Sequence, residues 1–436
     1  MSGVRAQSEE LNKIGLTLPG FIERQQVIAS MPSLSLLTLA ALTPPDIDIS
    51  YWEIKDLRTE TELPTDVDLV ALSTFTAQAL DAYEVADFYL QQGTPVVLGG
   101  LHVTSLPNEA KEHASSIVIG EGEPLWPDVV RDFQRGELKP LYEQKPGCWF
   151  DLAEAPVPRF DLLEIDKYNR LTVQTSRGCP HKCEFCASSI LLTPKYRVKP
   201  VHSVLREIRV IKELWRRPFI EFADDNSFVL RDHYKTLLRA LIPERIHWFT
   251  ETDISVAEDE ELLQLMSDSG CQQVLIGLES PNANGLDGLE RRRNWKLKQL
   301  PSYEQAIGRI QAHGITVNGC FILGLDGHTP DIFNDVYDFV ERSGLYEVQI
   351  TVQTAFPGTP LYARLKAENR IIEDRRWDKC TLFDVNFIPS HMTPQELQDG
   401  LVRLGQRLYR EDFIAKRRSK FKQMLRTAES TSAILS

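Results

Sequence analysis

From residue 171 onward the chain repeats a short apolar run and a helical pattern, and this alternation narrows the possible folds more than any other feature. The six candidate strands are Leu171–Thr175, Phe219–Ala223, Ile246–Glu251, Gln273–Glu279, Val317–Leu323 and Glu347–Gln353. Between them the spacing predicts helices over Val201–Trp215, Asp232–Leu241, Glu258–Ser269, Tyr303–His313 and Asp331–Arg342. The first of these carries Val204, Leu205, Ile208, Ile211 and Leu214 as an apolar stripe at helical spacing. Gly270 follows the third, where a left-handed cap is expected. Strand–helix units with right-handed crossovers build a parallel sheet, and six of them curve into an open partial barrel. The reactive face of such a barrel is the carboxyl end of its strands, where the loops gather.

A chain of 436 residues exceeds one ordinary domain, and its first part has a different pattern. Strands are predicted at Lys13–Pro19, Ile47–Trp52, Leu69–Ser73, Val96–Leu98 and Ile117–Ile119, with helices at Leu34–Leu42, Ala77–Gln92 and after Pro124. This predicts a five-stranded, doubly wound, Rossmann-like parallel sheet covered on both faces. Ligands of such sheets sit at strand carboxyl ends, here Ser73–Thr74, Gly99–Gly100 and Gly120–Glu121–Gly122. The proline-punctuated stretch from Pro140 reads as a linker. The expected division is therefore a Rossmann-like domain over 1–139, a linker over 140–160, a (βα)6 partial barrel over 161–390, and a carboxyl-terminal helix with a basic tail over 391–436. Thr393 and Glu396 form a capping-box pair for that helix, which is placed to cover the open side of the barrel; Thr427–Ser436 read as disordered.

Seven cysteines are present, and three crowd into Cys179–Pro–His–Lys–Cys183–Glu–Phe–Cys186, directly after the first barrel strand. Three thiolates on one short loop suit three corners of an iron–sulfur cube, leaving the fourth iron open to a ligand. Gly178 and Pro180 let the loop turn tightly. A zinc site would take His181 as fourth ligand, but such sites usually pair two short knuckles and no second Cys-x-x-Cys exists. A thioredoxin-like pair of Cys183 and Cys186 leaves Cys179 unexplained. Cys148, Cys271, Cys320 and Cys380 are scattered and read as small buried side chains.

With Phe185 before its last cysteine, the loop resembles the signature of the radical S-adenosylmethionine superfamily. The resemblance implies a [4Fe–4S] cluster on Cys179, Cys183 and Cys186 that cleaves S-adenosyl-L-methionine to a 5′-deoxyadenosyl radical. It also implies an external electron donor such as flavodoxin or ferredoxin. By the same resemblance, Phe185, Asp224, Asp225, Glu279, Ser280, Ile322 and Gly324 are S-adenosylmethionine-binding residues. Asp224 and Asp225 would face the methionine ammonium, Glu279 and Ser280 the methionine or ribose, and the segment Gly319–Gly327 the adenine. Phe356–Pro–Gly358–Thr359 after the sixth strand, with the first half of the chain, is similar to a subgroup carrying an amino-terminal cobalamin-binding-type domain. That subgroup's pattern implies cobalamin contacts at Ser73, Gly99, Gly100, His102, Gly120 and Gly122. The loop Pro19–Met31 departs from it, lacking the Asp-x-His-x-x-Gly that supplies a lower-axial histidine.

The resemblance therefore implies a radical enzyme acting on a small or hydrophobic substrate by cobalamin-dependent methyl transfer. The alternatives are oxidative or rearrangement chemistry without cobalamin, and a metal-stabilised RNA-binding or tRNA-modifying protein. A net charge of −13 disfavours nucleic acid. Arg291–Arg293 and the basic run Arg410–Arg426 read as solvated charged faces. No apolar run approaches the roughly 20 residues that span a bilayer, the polar start does not read as a secretory signal, and the expected location is the cytoplasm.

Overall fold

The computed structural model describes residues 31–54, 57, 63–192, 195–290 and 293–435. The predicted strand Lys13–Pro19 and all of the Pro19–Met31 loop but Met31 lie outside them, as do Arg291 and Arg292.

Two parallel sheets dominate. The first has four strands in chain order, β1 (Val70–Ser73), β2 (Val96–Gly99), β3 (Ser116–Ile119) and β4 (Leu141–Glu143). Both of its faces are covered. Helix α2 (Ala79–Gln91) buries Tyr83, Ala86 and Tyr89 against Val96, Leu98 and Ile117. Helices α1 (Leu34–Leu42) and α3 (Trp126–Gln134) lie against Val97 and Val118 on the other side. Alternate residues of one strand thus feed two separate cores, as period-two geometry requires.

Two expectations fail here. Ile47–Trp52 is no strand: it is an irregular strap whose Tyr51 hydroxyl accepts the Ser33 N–H (2.7 Å) and donates to Glu53 (2.9 Å). Conversely, β4 lies inside the stretch read as linker, where three residues flanked by prolines carry too short a pattern to register.

The second sheet has six parallel strands in chain order: β5 (Leu171–Val173), β6 (Phe219–Ser227), β7 (His247–Thr252), β8 (Cys271–Glu279), β9 (Thr316–Leu323) and β10 (Glu347–Val352). The crossover helices are α4 (Val201–Leu214), α5 (Arg231–Leu241), α6 (Glu260–Asp268), α7 (Tyr303–Ala312) and α8 (Ile332–Ser343). Val204, Ile208 and Ile211 of α4 are fully buried, each worth about 2 kcal/mol of transfer free energy. Leu205 is half-buried and Leu214 is exposed, because the last turn runs past the sheet. Gly270 has φ +97°, and a Cβ there would strike the Ile246 carbonyl.

After α9 (Pro360–Ala367), helix α10 (Pro394–Leu408) has the expected capping box: Thr393 Oγ1 accepts the Glu396 N–H (3.1 Å) and Glu396 Oε2 accepts the Thr393 N–H (2.7 Å). Just past it, the Tyr409 hydroxyl donates to the Val348 carbonyl of edge strand β10 (3.1 Å). Helix α11 then runs Glu411–Leu435, where disorder was expected from Thr427. Its basic face is not uniformly solvated. Arg417 is buried, stacks on Phe413 and donates to the Tyr346 (3.0 Å) and Leu408 (3.2 Å) carbonyls. Among the described residues no helix is long and apolar enough to cross a membrane.

Candidate active site

The cysteine loop hangs from the carboxyl end of β5 and is pinned by three consecutive side chains at the end of β6. Asp224 accepts the Thr175 N–H (2.7 Å), the Ser176 N–H (2.8 Å), the Ser227 (2.8 Å) and Tyr234 (3.0 Å) hydroxyls, and that of Thr175. Asp225 accepts the Gly178 N–H (2.8 Å) and the Ser188 hydroxyl. Asn226 points its Nδ2 at Cys179 Sγ (3.8 Å) and donates to Asp253 (3.0 Å). Gly178, at φ +101°, makes the turn before Cys179. Asp224 thus departs from the role expected of it. Its carboxylate is saturated by protein donors in a fully buried position, so it organises the loop rather than facing an ammonium.

On its far side the loop meets two other elements. Cys183 bridges to Glu290, the Glu184 N–H donates to the Leu289 carbonyl (3.2 Å), and the Leu361 N–H donates to the Glu184 carbonyl (3.1 Å). His181 is held between Asp253 (3.3 Å) and Glu290 (3.0 Å) and lies against Trp295, with ring centroids 4.5 Å apart. Both imidazole nitrogens are therefore engaged by carboxylates, which argues against His181 as a zinc ligand. Among the described residues no three His, Cys, Asp or Glu side chains converge on one ion. A cube, in which each thiolate takes its own iron, places no such demand. None of the three is in a disulfide, and burial pushes the Cys179 thiol up to about 12. A buried thiol of this kind ionises when a metal supplies the counter-charge. Lys296, also buried, adds positive potential beside Cys183 and donates to Glu279 Oε1 (2.6 Å) and the Gly277 carbonyl (2.6 Å). The donor set fits a three-cysteine iron–sulfur cluster.

Other expected residues are distributed unevenly. Glu279 ends β8 with φ +62° beside the bulge at Gly277, tied to Lys296. Ser280 is fully buried and bonded to His328 Nε2 (3.0 Å). Phe185 is half-buried against the core, and Ile322 is buried in β9. At Gly324 a Cβ would lie 2.7 Å from Leu397 and 2.9 Å from Phe387, so on that side the glycine lets α10 and Phe387 pack close.

In the first unit Ser73 and Gly99 are register partners, and a Cβ on Gly100 would come within 3.3 Å of Ser73 Oγ, so β1 and β2 end in a shallow cradle. Gly120 and Gly122 end β3, but Gln144 stands over the first (2.5 Å from a would-be Cβ) and Leu39 over the second (3.3 Å). His102 does not join the cradle. It is fully buried, near Glu109 (3.4 Å) and edge-on to Trp377 (5.6 Å), because its short helix turns it into the core.

Several roles are not legible in the sequence, and although Glu121 stands in an expected strand-end segment its partners are not. Glu121 accepts Arg177 (2.6 Å), Arg197 (2.7 Å), the Gln144 amide (2.9 Å) and the Phe150 N–H (2.8 Å), while Arg177 also pairs with Glu123 (2.6 Å). Burial alone would raise the Glu121 carboxyl, yet bonds from Arg197, Phe150 and Arg177 bring it to about 2. This clamp ties the end of β3 to the residue two places before Cys179. Phe75, two residues after β1, is 60% exposed, and only its place in Ser–Thr–Phe–Thr hinted at it. Of the scattered cysteines, Cys148 is exposed and Cys320 is half-buried, against expectation. Cys320 alternates with Phe321, whose side chain is buried on the helix side.

Glu251 lies on the barrel-interior side of β7, alternating with the buried Thr250 and Thr252. Its side chain is exposed to the open interior, so the surrounding walls desolvate it only in part; that desolvation, followed by repulsion from Glu221, Asp225, Asp224 and Glu279, raises its carboxyl to about 8. The folded state therefore holds a proton that the unfolded chain releases above its ordinary value of 4.5. Stability attributable to this site falls as pH rises from about 4.5 to about 8 and is level beyond. Glu251→Gln is expected to raise the melting temperature of the ligand-free protein, the gain growing across that window. A gain that is flat or shrinking with pH in thermal melts would contradict it.

The family profile described as Radical SAM superfamily matches residues 173–340, and one described as a domain of unknown function, DUF4070, matches 359–434. The chain is 28% identical over 398 residues to the bacteriochlorophyllide d C-12(1)-methyltransferase of Chlorobaculum tepidum, covering 89% of this chain and 84% of that one. It is 31% identical over 375 residues to the uncharacterized methyltransferase sll1242 of Synechocystis, covering 83% and 67%. In fold it is similar to the radical S-adenosylmethionine methyltransferase TsrM of Kitasatospora setae, solved with cobalamin and a [4Fe–4S] cluster, with a TM-score of 0.64 at 15% identity over 92% of this chain and 97% of that one.

Proposed function

The chain belongs to the radical S-adenosylmethionine superfamily, and on that premise we propose that it is a cobalamin-dependent methyltransferase acting on an apolar, carbon-rich substrate. The observation that carries this reading is the Glu121–Arg177 clamp, which sets the carboxyl end of the first sheet against the cysteine loop of the second. Two cofactor sites whose chemistry must meet on one substrate need such a fixed relation.

Cys179, Cys183 and Cys186 would hold the cluster, which supplies the electron that cleaves S-adenosylmethionine. The interior carboxylates Asp225 and Glu279 supply negative potential for a cationic sulfonium and ammonium, Glu251 adds to it once such a cation draws off its proton, and Phe185 and Ile322 offer apolar walls. Ser73, Gly99 and Gly100 form the cradle suited to cobalamin, whereas His102 is too buried to serve. Gln144 over Gly120 favours a second reading, radical chemistry without cobalamin, because it fills part of the strand-end crevice. An RNA-binding role draws no support from α11, whose Arg417 is spent inside the fold.

The test is anaerobic reconstitution with iron, sulfide and hydroxocobalamin, then incubation with methyl-labelled S-adenosylmethionine and a chlorin carboxylic acid of the kind named for the Chlorobaculum relative. Retained cobalamin and labelled product with one added CH2 are expected. A cluster-loaded protein that cleaves S-adenosylmethionine but retains no cobalamin would move the second reading to the front.

A further inference from the structure

A cleft opens beside the carboxyl end of β10, between Tyr362 of α9 and the segment 371–387. Of about 350 Å³ of empty space that includes open solvent at the mouth, only about 20 Å³ has room for a water-sized group, so its inner end is narrow. Its walls include the aromatic rings of Tyr362, Trp377 and Phe387 and the side chain of Ile371. Two polar groups stand out against them. Gln353 is 3% exposed, and its Oε1 has no hydrogen-bond partner. Such a buried acceptor costs about 1–3 kcal/mol unless something donates to it. Arg375 is exposed, and no carboxylate among the described residues pairs with its guanidinium. Its backbone is held at φ +60°, a strained setting for a residue with a side chain. Of the remaining charges of the cleft, Lys379 and Glu373 pair with each other, and the buried carboxylate of Asp384 accepts the Thr381 hydroxyl, which leaves the exposed Arg375 as the group to meet an anion at the mouth.

The position of the cleft connects it to the chemistry. Tyr362 adjoins Leu361, whose N–H is bonded to Glu184 between the second and third cysteines. On the opposite wall Trp377 Nε1 donates to Glu109 of the first unit (2.8 Å). The cleft therefore lies between the cysteine loop and the unit with the cradle.

We propose that this cleft anchors one edge of the substrate, an apolar ring system that presents a carboxylate to Arg375 and an O–H or N–H donor to Gln353. The inference rests on the reading of the chain as a radical methyltransferase. Under it, the first part of the DUF4070 region chooses the substrate and fixes its orientation. The narrow inner end suits a flat edge, and the open mouth lets the rest of the ring extend toward the reacting centres. A guanidinium is the group best matched to a carboxylate, and burying the donor against Gln353 makes recognition steep, because an analogue lacking it leaves the acceptor unpaired.

The test uses the reconstituted full chain and a fluorescent edge mimic, 6-hydroxy-2-naphthoate, beside its methyl ester and its 6-methoxy analogue, with S-adenosylmethionine cleavage followed in the same samples. The acid is expected to bind about 10-fold more tightly than the ester, and the hydroxyl form about 10-fold more tightly than the methoxy form. Arg375→Gln is expected to erase the first preference and Arg375→Lys to restore part of it, while Gln353→Leu erases only the second. Equal binding of acid and ester, no binding of any mimic, or preferences untouched by these substitutions would each overturn the assignment while cleavage continues. Intact preferences in a protein that takes up no cluster and cleaves nothing would instead overturn the proposed function and leave the cleft standing.

Discussion

Replacing Cys183 by alanine is expected to abolish iron retention and to lower S-adenosylmethionine cleavage at least ~1,000-fold, an order of magnitude set by losing a cluster ligand outright. The same holds for Cys179 and Cys186, but Cys183 is the sharpest case. It is the most buried of the three, it bridges to Glu290, and it sits beside the buried cation Lys296. The substitution removes a thiolate without removing that positive potential. Iron analysis and 5′-deoxyadenosine quantitation on anaerobically reconstituted protein check it. A His181→Ala variant is the control. If the metal were zinc held by His181, this substitution would cost as much as losing a cysteine. With His181 engaged by Asp253 and Glu290 instead, most of the iron should remain. Four irons bound to the Cys183 variant would end the cluster assignment.

Arg177→Met is expected to destabilise the protein by about 3 kcal/mol, the low end of the range for breaking a buried ion pair, because Arg197 still reaches Glu121. The Glu121 carboxyl reports the whole network, its shift being set by Arg197, Phe150 and Arg177 together. Its displacement from 4.5 to about 2 corresponds to about 3 kcal/mol of linked stability. The sign is fixed: the contribution is fully present above about pH 4.5 and is lost as pH falls toward 2. Urea denaturation of the wild type and of the Arg177→Met, Glu121→Gln and double variants measures the coupling directly. A coupling within about 0.5 kcal/mol of zero would mean that the clamp is only a surface contact in effect. Because the clamp joins the two sheets, its loss should also reduce methyl transfer more than S-adenosylmethionine cleavage.

The strand–helix alternation and the cysteine spacing are local properties, and the sequence by itself determined both. Each barrel strand and crossover helix lies within a few residues of its apolar period, since a parallel sheet covered by helices imposes that period on every unit. The three cysteines sit within eight residues, so no tertiary information was needed to join them. The glycine caps and the capping box at Thr393 were legible for the same reason.

What residues do across long separations was decided only by the tertiary structure. Asp224 and Asp225 read alike in one dimension, yet strand alternation buries the first among five donors and turns the second toward the loop. His102 follows a Gly–Gly pair that suggested a cofactor contact, but Trp377, 275 positions later, closes over it. At Gly324 the Cβ direction is taken by Leu397 of α10 and by Phe387, a close approach that the strand-then-turn pattern does not announce. Glu121 and Arg177 are 56 residues apart, and Gln353 and Arg375 are brought to one cleft by a segment with no clear period. In each case a side chain's partner comes from another element, and the energy that selects it is burial and charge pairing, which no local pattern encodes.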